Sequence, residues 1–237
     1  MKFRAIIFDI YKTLLEVGPP PSDAEERWKN LLTTTSNGAV RLTLEQLDAE
    51  CKKVIAREHA LACANGIAYP EIYWPAVTEE ALPEILQLPE PARPEFLYQH
   101  AQLLRTMSLM PGVSDVLHRL VEADCVLGIA SNSQPYTLRE IDTAFAPANL
   151  SRNIFKPDFS FFSFENGYSK PDPHVFRLLT ARLAAHSILP KETLMIGDRL
   201  DNDIAPARAA GWQTWHLQKE PAENGGDWTK FLAWIFA

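Results

Sequence analysis

The sequence predicts an α/β protein: a parallel sheet flanked by helices, with a helical unit inserted after the first strand. Short, continuous apolar runs at Ala5–Phe8, Cys125–Ala130 and Thr193–Ile196 each lead into a polar or charged residue. Continuous rather than alternating runs mark strands that are covered on both faces. Helix-period segments follow these runs, and strand–helix alternation implies parallel pairing with right-handed crossovers. Residues 16–109 break the alternation and read as helical throughout.

The elements follow in order. The first run ends at Asp9, and Gly18-Pro19-Pro20-Pro21 punctuates the exit from it with an extended link. A helix opens at Thr43, where Thr43 and Gln46 form a capping box and Leu42 and Leu47 a hydrophobic staple. Its buried face continues through Cys51, Val54 and Ile55, and a second helical face runs from Phe96 through Leu97, His100, Leu103 and Leu104 to Met107. No strand is expected within 16–109. Beyond it, Val113, Val116, Leu117, Leu120 and Val121 form one apolar stripe. Phe159–Phe164 alternates like a strand, either buried or paired with another chain. Asp172 and Pro173 suit the N-cap and first position of a helix with Val175, Phe176, Leu179 and Leu183 facing inward. A later helix stops at Gly211, and the spacing of Trp228, Phe231, Leu232, Trp234 and Ile235 predicts a C-terminal helix docked on the core.

A chain of 237 residues with 46% hydrophobic content can bury one large core, or a core and a lid. Its 23 basic and 30 acidic residues leave a net charge of −7, which argues against a nucleic-acid surface. No apolar run reaches the roughly 18 residues of a membrane span. The N-terminal run is too short for a signal peptide, carries Asp9 and lacks a small-residue cleavage site, so it reads as a strand. Cys51, Cys63 and Cys125 are odd in number and lack metal-site spacing, which suits a reducing, cytoplasmic compartment. The partners expected are a small-molecule substrate and no nucleic acid or membrane, with the chain a monomer or a homodimer.

Four signatures stand in order: FDIYKTL at Phe8–Leu14, IASNS at Ile129–Ser133, SKPDP at Ser169–Pro173 and MIGDRLDND at Met195–Asp203. Each puts a reactive or charged residue where a buried strand gives way to a loop, and parallel sheets bind ligands at those carboxyl ends. A carboxylate can attack phosphorus or an alkyl-halide carbon, dividing one hard hydrolysis into two easier steps. The charge that builds up beside it calls for hydroxyl and cationic donors, and Thr13, Ser131 and Lys170 are the right types.

This arrangement closely resembles the haloacid dehalogenase superfamily of hydrolases, across the whole chain. The resemblance implies a Rossmann-like catalytic core over residues 1–15 and 110–237, and a helical cap of the C1 type over 16–109. It makes Asp9 the nucleophile, Lys170 the third-motif lysine, and Tyr11, Thr13, Ser131 and Asn132 substrate-binding groups. Asp198 leads the fourth motif. Two carboxylates in one small site repel, and Mg2+ is the usual way to keep both ionised. The expected ligands are Asp9, Asp198, the backbone carbonyl of Tyr11 and Asp203, the last either through water or as the group that orients Lys170.

The motifs point in two directions. Family phosphatases place a carboxylate at position 11 as general acid and base, work for which a tyrosine with a pKa near 10 is poorly suited. The 2-haloacid dehalogenase branch carries tyrosine there and uses no metal. Yet Gly197–Asp203 has the acidic form typical of magnesium-dependent members, Lys12 replaces the usual glycine, and Phe176 stands where that branch tends to place tyrosine. That branch also receives halide on a cap arginine, for which Arg27 and Arg41 are candidates by position. The expectation is therefore a Mg2+-dependent phosphomonoesterase. The alternatives are a metal-independent 2-haloacid dehalogenase and, in another class, a phosphate-ligand-binding protein with vestigial activity.

Overall fold

A computed structural model of the chain describes residues 2–36, 42–220 and 222–237. Its main sheet holds six strands: β1 (Ala5–Phe8), β4 (Val126–Ser131), β5 (Phe161–Phe162), β6 (Thr193–Gly197), β7 (Gln213–Leu217) and β8 (Gly225–Gly226). Their spatial order is β5-β4-β1-β6-β7-β8, and every pair is parallel. Phe8 of β1 is in register with Ile129 of β4 and Ile196 of β6, so Asp9, Ser131 and Asp198 leave neighbouring strands on the same side. Chain order reverses at β1, and such a reversal opens a crevice at the carboxyl edge of a parallel sheet.

The apolar runs form strands because both faces are covered. On one face, Ile6, Phe8, Ile129 and Ile196 pack with Val113, Val116, Leu117 and Leu120 of α5 (Val113–Glu122) and with Trp228, Phe231 and Ile235 of α10 (Trp228–Ile235). On the other, Ile7, Ala130 and Met195 meet Val175, Phe176, Leu179 and Leu183 of α8 (Pro173–Ala185). Each fully buried Leu, Val or Phe stabilises the fold by about 1.5–3 kcal/mol relative to exposure. Asp172 caps α8 by accepting a hydrogen bond from the His174 amide.

Residues 24–104 build a separate core. Helices α1 (Ala24–Ser36), α2 (Leu44–Ala64), α3 (Trp74–Ala81) and α4 (Ala92–Leu104) enclose Trp28, Leu47, Cys51, Val77, Ile85 and Phe96. The reciprocal Thr43–Gln46 capping box opens α2. His100 lies 2% exposed among these aromatics, 5.5 Å from Trp28 and stacked on Trp74 at 6.3 Å. Burial draws its pKa down to about 4. Among the described residues, no helix is long and apolar enough to cross a membrane.

Three local expectations are corrected. The 16–109 stretch does contain strands: β2 (Leu15–Gly18) pairs antiparallel with β3 (Thr106–Leu109), forming the ribbon that leads to and from the helical unit. Each strand is only four residues long and their partners are distant in sequence, so neither leaves a local periodic signal. Met107 belongs to β3, and the helix expected to reach it stops at Leu104. Of Phe159–Phe164, only Phe161 and Phe162 are extended; they pair with Ala130 and Ser131 of the same chain, and Ser163 starts a helical turn.

Candidate active site

At the carboxyl edge of the sheet lies a cavity of about 250 Å³ lined by Asp9, Tyr11, Lys12, Asn132, Lys170, Asp198, Arg199, Asn202 and Asp203. Lys170, 3% exposed, sits at its centre. The Nζ donates to Asp9 Oδ1 at 2.7 Å and to Asp203 Oδ1 at 2.5 Å. Its position is set from the second motif: the Asn132 side chain accepts from the Lys170 amide at 2.7 Å and donates to the Lys170 carbonyl at 2.9 Å. Asn132, expected to hold substrate, thus spends its side-chain amide on the lysine backbone.

Asp203 reaches the site from a π-helical turn, Leu200–Ile204, and its other oxygen accepts from the Arg199 amide at 3.1 Å. This approach needs Gly197, because a Cβ there would lie 2.3 Å from Asp203 Oδ2. Asp201 faces away, exposed and paired with Arg199. The cluster of Asp9, Asp198 and Asp203 offers one oxygen each, all within 4.8 Å of one another.

Lys170 bridges two of the three carboxylates, and Lys12 and Arg199 also line the cavity. The Asp9 carboxyl is raised to about 6: burial pushes it up most, Lys170 pulls against that, and Asp203 and Asp198 add to the rise. Burial also raises Asp198, with Asp203 adding to the shift. For Lys170, burial alone would lower the pKa, but Asp9 and Asp203 override it and hold the ammonium charged. A hard divalent cation fits this all-oxygen donor set. Asp9, Asp198 and Asp203 would hold it, with the Tyr11 carbonyl as a further oxygen donor.

The hydroxyls of Thr13 and Ser131 are buried and have no hydrogen-bond partner. An unsatisfied buried polar group costs about 1–3 kcal/mol, so both are poised to donate to an anion. Tyr11 behaves differently. Its hydroxyl donates to Glu140 Oε2 at 2.6 Å, lies 2.6 Å from Thr137 Oγ1 and accepts from Arg105 at 2.9 Å. Burial carries its pKa well above the ordinary phenol value, against the pull of Arg105 and with the push of Glu140. Tyr11 is therefore an anchored phenol, with no proton to offer at neutral pH.

Glu140 and Arg105 escaped the sequence reading. Glu140 lies on α6 (Thr137–Phe145) and is 1% exposed; it interrupts the buried stripe formed by Thr137, Ile141 and Phe145, a signal visible in the sequence. Arg105 follows α4 and had no local signal. Of the arginines considered for the cap, Arg27 lies at the surface near Asp23, and Arg41 falls outside the described residues. The helical unit closes on the core through Gln134, which accepts from the Trp74 amide and donates to Glu71 and the Ile72 carbonyl, each at 2.8 Å.

A buried carboxylate, a lysine and an acidic cluster gathered at the switch point of a parallel sheet are the equipment of an α/β hydrolase. The chain matches the family model of haloacid dehalogenase-like hydrolases over residues 3–211, and it belongs to that family. It is 25% identical to an N-acetylmuramic acid 6-phosphate phosphatase of Pseudomonas aeruginosa, over 96% of this chain and 90% of that protein. A phosphoglycolate phosphatase of Xanthomonas campestris is 28% identical, over 89% of this chain and 81% of its own. In fold, the chain is similar to a 2-haloacid dehalogenase of Pseudomonas syringae, with a TM-score of 0.65 and 17% identity, over 99% of this chain and 98% of that one. It is an enzyme of the hydrolase class.

Proposed function

We propose that the chain is a Mg2+-dependent phosphomonoesterase that acts on a small metabolite through an aspartyl-phosphate on Asp9. The observation that carries the reading is the convergence of one oxygen each from Asp9, Asp198 and Asp203, two of them bridged by Lys170. Metal-independent attack on carbon has no use for two further carboxylates, whereas phosphoryl transfer with a divalent ion does. Bound Mg2+ would neutralise phosphoryl charge and favour ionised carboxylates.

The protein's own groups supply the rest. The Asp9 carboxylate attacks phosphorus in line, forming one P–O bond as the bond to the leaving oxygen breaks and that oxygen takes a proton from solvent water. Lys170, held by Asn132, keeps Asp9 oriented and adds positive charge beside the phosphoryl oxygens. Ser131 and Thr13 donate to those oxygens as charge redistributes. Water then hydrolyses the acyl phosphate and regenerates Asp9. In this reading residues 1–15 and 110–237 form the catalytic core, and 16–109 is a cap that excludes water and selects substrate. The free cysteines Cys51, Cys63 and Cys125 support a cytoplasmic setting.

A second reading, 2-haloacid dehalogenation, draws on Tyr11, which lines the same cavity as Asp9. One assay separates the two: phosphate release from a phosphomonoester panel with Mg2+ or with EDTA, and halide release from 2-haloacids, using Asp9→Asn as control. Mg2+-dependent phosphate release that vanishes in a folded Asp9→Asn protein is the expected result. Halide release without metal would replace the phosphatase reading, and equal turnover by the variant would remove the covalent one.

A further inference from the structure

A second cavity, of about 230 Å³, adjoins the catalytic one, and Tyr11 and Asn132 line both. Arg105, Gln134, Tyr136 and Glu71 are among its other walls. Because it opens beside the nucleophile and is bounded by the cap segment around Glu71, it is the natural receptacle for the part of a substrate that does not react.

Arg105 dominates its chemistry. The guanidinium lies 4.4 Å over the Tyr11 ring and 5.9 Å from that of Tyr136. Its NH2 group donates to the Tyr11 hydroxyl at 2.9 Å and lies 3.3 and 3.4 Å from the two oxygens of Glu140. Glu140 is buried and takes a further hydrogen bond from Gln102 at 2.9 Å. One edge of the guanidinium is thereby fixed by the core. Nε–H, on the same edge as NH2, is buried without a partner, and among the described residues NH1 makes no hydrogen bond. A guanidinium held through NH2, with NH1 unengaged, is preorganised to receive an anion at NH1.

The competing charge is Glu71. Its carboxylate accepts from Gln134 at 2.8 Å and from the Ile72 amide at 3.0 Å, and burial raises its pKa. Glu71 is thus turned to internal partners, while Arg105 retains unused donors.

We infer that this second cavity is a carboxylate subsite, in which Arg105 receives the acid group of a short phosphorylated hydroxy acid while its phosphoryl group faces Asp9. The substrate class rests on the phosphomonoesterase reading; the subsite itself does not, because a 2-haloacid also carries a carboxylate.

The test is calorimetric titration of the Mg2+-loaded protein with glycolate and with its uncharged analogue ethylene glycol, paired with turnover of 2-phosphoglycolate and ethyl phosphate. Glycolate should bind and ethylene glycol should not. Arg105→Lys keeps a cation opposite Glu140 but loses the planar fork, and should weaken glycolate at least tenfold while raising KM for 2-phosphoglycolate more than for ethyl phosphate. Glu71→Gln should tighten glycolate about threefold to tenfold by removing a nearby negative charge, a gain that misfolding cannot produce. Glycolate binding left unchanged by both substitutions overturns the inference. Arg105-dependent glycolate binding in a protein that hydrolyses no phosphomonoester would uphold the subsite and overturn only the phosphatase reading.

Discussion

The Tyr11 hydroxyl donates to the buried carboxylate of Glu140 across 2.6 Å, tying the first motif to helix α6. Where a family phosphatase carries its acid and base, this chain carries an anchor. Tyr11→Phe should leave kcat within a few-fold of wild type and cost about 1–3 kcal/mol of stability, because Glu140 and Arg105 lose a buried partner. Steady-state kinetics and urea unfolding check both. A loss of 10²–10⁴ in kcat at unchanged stability would make the phenol a general acid after all.

Mg2+ held by the acidic cluster, as proposed, would make stability depend on metal and pH together. With Asp9 raised to about 6, the folded state holds a proton that the unfolded chain has released, so ionising Asp9 costs stability as pH rises from about 4 through 6. A cation bound by the ionised cluster removes that cost. Mg2+ should therefore raise Tm clearly at pH 7.5 and little at pH 5, as measured by thermal unfolding with Mg2+ and with EDTA. An equal shift at both pH values would count against Asp9 as a ligand.

Lys12 holds a left-handed backbone at φ 58°, a conformation that costs a residue with a Cβ about 1–2 kcal/mol. Glycine adopts it freely but loses more entropy on folding. Lys12→Gly should thus be neutral to stabilising, by up to about 1 kcal/mol, or a rise of about 2–4 °C in Tm. A fall in Tm would mean that the lysine side chain contributes contacts exceeding its backbone strain.

The helical unit carries its own acid sensitivity in His100. Its pKa lies at about 4 when folded and near 6.5 when unfolded, so its neutral form supports the fold fully above pH 6.5. That support falls by about 3 kcal/mol as pH drops to 4. His100→Leu should flatten the decline of stability between those pH values, and an unchanged slope would place the acid sensitivity elsewhere.

The sequence by itself determined what local chemistry can determine. The runs ending at Asp9, Ser131 and Asp198 announced buried strands, since only residues covered on both faces are continuously apolar. Thr43 and Gln46 announced the start of α2, and Asp172-Pro173 that of α8, because capping is completed within four residues. The order of the motifs was enough to name the family. What only the tertiary structure decided are the partners of each charge. The sequence favoured Asp203 over Asp201 for the site, but that Asp203 is buried on Lys170 and Asp201 exposed on Arg199 is sorted by the π-helical turn and the bare Cα of Gly197. Nor does any pattern link Tyr11 to Arg105 and Glu140, or Asn132 to the backbone of Lys170. Those contacts join segments far apart in the chain, and residues so separated leave no periodicity for a sequence to display.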